Sequence, residues 1–303
     1  MNFKRLTTCI VIVVLLYVGN LIYYQTQQID GPFFLSHYYD VEFREDRNPT
    51  VELYYVTNKQ HELGHIDIPG VDRAYVIYDH FYQQFPHFQI KKAVVEIQGQ
   101  YVADALSIKE IDVQFFNEDL KKYSIGEMIL RPPSDIGSEQ TIAHLASGGS
   151  SDHTSFSAFE INEQMELVGY EYAFENKLSD ELELFLDYEN EELRDFKEKI
   201  QTKEYDEEFD YMQRNMWTIS GLKMSEVPFP ITVKKNDHIK VNSAFRFDED
   251  SRNENKFYRF DVRLLFETEE GSKLVARNYM NYQPHFTSSE IKNLATKVGE
   301  RDE

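Results

Sequence analysis

A chain of 303 residues is long enough for two ordinary domains, or one large one, each with its own core. Hydrophobic residues make up 41% and charged residues 28%, which excludes a disordered chain. The formal net charge of -21 excludes nucleic acid as a partner, because Lys and Arg must displace phosphate counterions, and such a surface would also be repelled by anionic headgroups and attract cations.

Residues 1–6 read as a cytoplasmic tail; Lys4 and Arg5 are the only charges in the first 24 residues. Residues 7–24, TTCIVIVVLLYVGNLIYY, carry none. About 18 residues at about 1.5 Å each come close to the hydrocarbon thickness of a bilayer, so this stretch is expected to be a transmembrane helix. Its anchor residues are Cys9, Ile10, Val11, Ile12, Val13, Val14, Leu15, Leu16, Tyr17 and Val18. Positive flanks stay in the cytoplasm, and Tyr23 and Tyr24 suit the far interface, so the bulk of the chain is expected outside the cell membrane. A cleaved signal peptide fits less well: Leu21, Ile22, Tyr23, Tyr24 and Gln25 offer no small-x-small site. Cys9 is the only cysteine, so the rest of the chain forms no disulfide, which for an extracytoplasmic protein suits a bacterial cell envelope.

Residues 25–31 form a polar spacer. Strand signals follow at 33–43, in VELYYVT at 51–57, in AYVIY at 74–78 and in AVVEI at 93–97. Ile111, Val113 and Phe115 alternate with polar residues, and 123–130 continues the pattern. Arg131-Pro132-Pro133 interrupts it, and a Ser/Gly-rich loop follows at 146–155. This division gives a first β-rich domain over 32–134 and a second over 135–303. In the second, Leu182, Leu184 and Leu186 alternate, and an acidic helical insertion is expected near 190–215. Ile231 and Val233 face Ile239 and Val241 across an Asn236-Asp237 hairpin turn; Phe260, Val262, Leu264 and Phe266 share a strand face. Thr287 and Glu290 have capping-box spacing ahead of a short C-terminal helix. The expected fold is therefore mostly β: an N-terminal transmembrane helix, then a β-sandwich-like ectodomain of two tandem sandwiches. The similar segments 93–102 and 158–167 raise an internal duplication.

His61-Glu62-Leu63-Gly64-His65 resembles the H-E-x-x-H signature of zincin metallopeptidases. The resemblance implies His61 and His65 as zinc ligands on one helix face and Glu62 as general base. The surroundings point elsewhere. Asn58, Lys59 and Gln60 are polar, the segment upstream reads as strand, and Pro69-Gly70 follows closely. On a strand the two histidines would lie about 13 Å apart and share no metal. A hairpin with Asn58 to Gln60 in the turn is the expected structure. Asp248 and Asp250, in an acidic loop, are candidate calcium ligands set against a solvated loop. Ser151-Asp152-His153 puts triad residue types in a row, but triads assemble in space.

The sequence thus favours a non-enzymatic, membrane-anchored envelope protein acting as a binding or scaffold module. No cofactor is expected; the partners are the bilayer and another envelope protein. A zinc hydrolase using residues 61–65 is the alternative, and a cation-responsive sensor or accessory subunit the second.

Overall fold

The computed structural model describes residues 3–29, 31–43, 48–58, 61–98, 104–133, 141–188, 193, 220–248, 251 and 253–299, with the side chains of 3–9 left aside. The chain begins with helix α1 (Phe3–Thr26) and continues into three sheets. The first sheet has the order β1 (Phe33–Phe34), β3 (Thr50–Thr57), β6 (Gln89–Gln98), β5 (Arg73–Gln84). The central sheet runs β14 (Ile231–Val233), β11 (Met165–Tyr172), β16 (Phe257–Thr268), β2 (His37–Glu42), β8 (Lys121–Arg131), β7 (Leu106–Phe115), β4 (Leu63–Asp67), with β17 (Lys273–Tyr282) also paired to β16. The third sheet has the order β13 (Leu222–Lys223), β12 (Leu182–Asp187), β15 (His238–Phe245), β10 (Thr154–Ile161), β9 (Ile142–Gly149).

Strand β16 joins the two halves. One edge pairs with β17 from Tyr258 to Glu267. The other edge is shared: β2 takes residues 257–259 in parallel and β11 takes 262–268 antiparallel. Because alternate side chains point to opposite faces, the central sheet buries different faces at its two ends. Tyr39, Val41, Met128 and Leu130 face the first sheet and form one core. Tyr258, Phe260, Val262, Leu264 and Phe266 face the third sheet and form the other. The outcome is two sandwiches staggered on opposite faces of one continuous sheet.

The two cores are not divided at a single point along the chain. Phe257, Phe286 and Ile291 belong to the first core although they follow residue 134. The last segment returns across the first sheet and ends in α2 (Ser288–Gly299). Its capping box forms as spaced: the Glu290 carboxylate accepts from the Thr287 N–H at 2.6 Å, and Thr287 Oγ1 accepts from the Glu290 N–H.

Two expected hairpins are crossovers instead. β3 ends in the first sheet and β4 begins in the central one; β14 pairs with β11 while β15 pairs with β10 and β12. The Asn236-Asp237 turn is present, with Asn236 at φ 66, but its flanking strands enter different sheets. α1 runs to Thr26, and Ile29 is buried in the first core. Of the acidic insertion near 190–215, only Leu193 lies among the described residues.

Candidate functional site

The zincin-like segment folds as strand. Leu63 to Asp67 pair antiparallel with β7, with a bulge between Leu63 and His65. Ile66 and Ile68 are buried and their neighbours exposed, the period-two burial of a strand. His61 precedes the strand, and its Nε2 lies 3.0 Å from Glu118 Oε1. His65 is exposed opposite Gln114, and Glu62 is exposed, its carbonyl accepting from the Phe116 N–H. The helix face that would bring both imidazoles to one metal is therefore not formed by these five residues. Among the described residues, no group of three His, Cys, Asp or Glu is placed to hold a metal.

The other sequence candidates separate as well. Asp248 is described, but Asp250 lies outside the described residues. Ser151, Asp152 and His153 make the tight turn between β9 and β10. Asp152 Oδ1 accepts from the Thr154 hydroxyl at 2.7 Å, which is the largest influence holding this carboxylate below its usual range. His153 takes φ 66 and its ring packs on Tyr282, so the three do not form a catalytic relay.

The structure gathers a charged cluster that the sequence reading did not single out. Where β2 leaves β16, Asp40 and Glu42 meet basic side chains of β8, β16 and β17 in the same central sheet. The Asp40 carboxylate, with its side chain only 2% exposed, accepts from Arg131 Nε at 2.6 Å and Arg263 Nη2 at 3.1 Å. Glu42 lies 2.6 Å from Arg277, and Arg263 also reaches Glu171 at 3.5 Å. Burial pushes the Asp261 carboxyl above its usual range, opposed by Arg277 and Arg263. Beside this cluster lies a cleft of about 520 Å³. Val168, Leu265 and Val275 give it an apolar floor; Arg131, Lys273, Glu171 and Glu267 stand around it. Oppositely charged groups around an open cleft with apolar residues in its lining suit recognition of a polar ligand with an apolar element. The signal in the sequence was the alternation of Arg259, Asp261 and Arg263 along β16, which a local reading assigns to solvent.

His37 is fully buried away from the cleft. His37 accepts the Tyr54 N–H at Nε2 (2.8 Å), so Nδ1 carries the proton and donates to the Ile125 carbonyl (3.2 Å). Phe257 and Tyr54 stack on its ring. Desolvation lowers its pKa to about 3, against a smaller raising influence from the Ile125 bond. His37 is thus a neutral core pin tying β2, β3 and β8.

Along α1, Ile10 to Val18 expose their side chains to the surroundings, as do Leu21, Ile22, Tyr23 and Tyr24. Cys9 lies in the same helix, its side chain outside the described ones. Among the described residues, no helix is long and apolar enough to cross a membrane; the side chains of α1 enter that description only from Ile10 onward.

No family model matches the chain. No curated protein matches it. Among solved structures it is similar to the D00-D0 domain of Intimin, with 9% identity over 84% of this chain and 98% of that one, at a TM-score of 0.21, too low to carry fold or function across.

Proposed function

We propose that this chain is a membrane-anchored, extracytoplasmic β-sandwich protein of the bacterial cell envelope, acting as a binding or scaffold module and not as an enzyme. One observation carries the reading: thirteen large apolar side chains of α1 are exposed beside a body that buries its own apolar faces in two cores. Leaving an apolar side chain in water costs about 1.5–3 kcal/mol. These side chains are about half exposed, so each leaves about 1 kcal/mol of burial unrealised, a sum on the order of 10 kcal/mol over the helix that an apolar surrounding would recover. A bilayer supplies that surrounding. Lys4 and Arg5 then hold the N-terminus in the cytoplasm, and both sandwiches stand outside. The cleft beside Asp40, Arg263 and Arg277 is the ligand surface of this module. The strand conformation of residues 63–67 counts against the zinc hydrolase alternative.

Fractionation of the native membrane tests the anchor. The full chain should remain in the membrane pellet after an alkaline wash and leave it only with detergent, while a chain lacking residues 1–24 should appear in the soluble fraction. Release of the full chain by the alkaline wash would overturn the reading.

A further inference from the structure

We propose that the end of the first sandwich carrying α1 is a second membrane contact, in which the β5–β6 turn and the segment leading into α2 rest on the phospholipid headgroups. The proposal rests on the anchor reading above and adds how the body is held against the bilayer.

Depth comes first. Tyr23 and Tyr24 close the apolar stretch of α1, where aromatic rings settle at the headgroup level. Both rings pack edge-on against His87, with centroids 6.3 and 5.2 Å away. His87 lies in the turn of the β5–β6 hairpin, closed by the Phe85 N–H on the Phe88 carbonyl at 3.0 Å. That turn therefore sits at the level of the helix end.

The body is also held firmly to the helix. Lys292 of α2 donates to the side chain of Gln27, the residue that follows α1. Ile29 is buried in the first core, and Asn58 donates to its carbonyl at 2.9 Å. A helix coupled in this way fixes which face of the body meets the membrane.

That face is completed by the segment after β17. Tyr82 OH donates to the Pro284 carbonyl at 3.0 Å, and the Gln83 side chain bonds both the N–H and the carbonyl of Phe286. His285 is exposed between these contacts, as are Gln84 and Pro86 in the turn.

Charge supports the same face. The chain carries 53 acidic residues, yet residues 1–29, 80–95 and 271–289 contain none. Of these, residues 23–29, 82–88 and 284–289 come together at this end, with Glu290 just beyond them at the start of α2. Elsewhere the acidic surface repels anionic headgroups; here His87, His285 and Lys292 offer donors to lipid phosphate.

The test uses the full chain with Cys9→Ser, reconstituted in vesicles of phosphatidylcholine and phosphatidylglycerol. Single cysteines replace His285, Gln84 or, as a control on the second sandwich, the exposed Leu145. Each carries an environment-sensitive dye, and a fraction of the lipid carries a nitroxide on its headgroup. The proposal expects quenching at 285 and 84 to exceed that at 145 several-fold. Equal quenching at all three sites, in chains that float with the vesicles, would overturn it and leave the anchor intact. Chains that do not float with the vesicles would remove the anchor reading and this proposal with it. Two labelled positions ensure that a misfolded variant at one does not decide the result.

Discussion

Acidification should destabilise the first sandwich through His37. In the folded protein both ring nitrogens are committed, Nε2 as an acceptor and Nδ1–H as a donor. A second proton would set an N–H against the Tyr54 N–H inside an aromatic core. Burial accordingly lowers the pKa from 6.5 to about 3. In the unfolded chain the group titrates near 6.5, so between these values the unfolded state binds more protons. Stability is then fully present above pH 6.5 and is lost as pH falls toward 3. At pH 4.5 the gap spans about two pH units, or about 3 kcal/mol from this residue alone. With a urea slope of about 3 kcal/mol/M, the unfolding midpoint should fall by about 1 M relative to pH 7. The assay is urea unfolding of the detergent-solubilised chain, followed by circular dichroism, for the parent and for His37→Gln. The variant starts less stable, but its further loss between pH 7 and 4.5 should be smaller by about that 1 M. Identical losses in the two proteins would refute the assignment of the acid sensitivity to His37.

Three further outcomes follow from particular contacts. Gly126 has φ +95, and a Cβ there would lie 2.4 Å from the His37 carbonyl oxygen; Gly126→Ala should cost more than about 2 kcal/mol, read as a drop in Tm. Gly271→Ala is the control: φ is +80 but nothing lies within 4 Å, so the cost should stay near about 1 kcal/mol. Asp40→Asn leaves Arg131 and Arg263 without their shared carboxylate and should cost about 2–3 kcal/mol in urea unfolding, less than a fully enclosed pair because Arg131 is 30% exposed; no loss would show the cluster to be a solvated surface pairing. Metal analysis of the purified chain beside His61→Ala/His65→Ala should find no zinc that the double variant loses; about one zinc per chain, absent from the variant, would revive the hydrolase alternative.

Individual strands were legible because their burial has period two. β16 alternates as read, and Thr287 with Glu290 announced α2. Which sheet each strand joins was not legible. Asn58 to Gln60, of which 59 and 60 lie outside the described residues, and 234–237 have turn-forming composition whether a chain doubles back or crosses over, and the strands flanking each join different sheets. Local pattern also hides the parallel pairing of β2 with β16, more than 200 residues apart, which decides the staggered arrangement. The same distance hid the cleft: Asp261 and Arg263 sit on the polar side of β16, and only the approach of Asp40 and Glu42 turns them into a buried cluster. His37 carried no signal in the sequence, because a satisfied core histidine is distinguished only by its partners. The strand reading of residues 63–67 rested on neighbours rather than on the five-residue match, and those neighbours proved informative.

The most direct test of the central claim is the side of the membrane on which the body lies. In the Cys9→Ser background, Leu145→Cys should be modified on intact cells by a maleimide that cannot cross the cytoplasmic membrane. A cysteine at position 4, within the proposed tail, should react only after the cells are permeabilised. That pair of results places both sandwiches outside, with α1 crossing the bilayer. Modification of position 4 on intact cells, or protection of position 145 until permeabilisation, would contradict it.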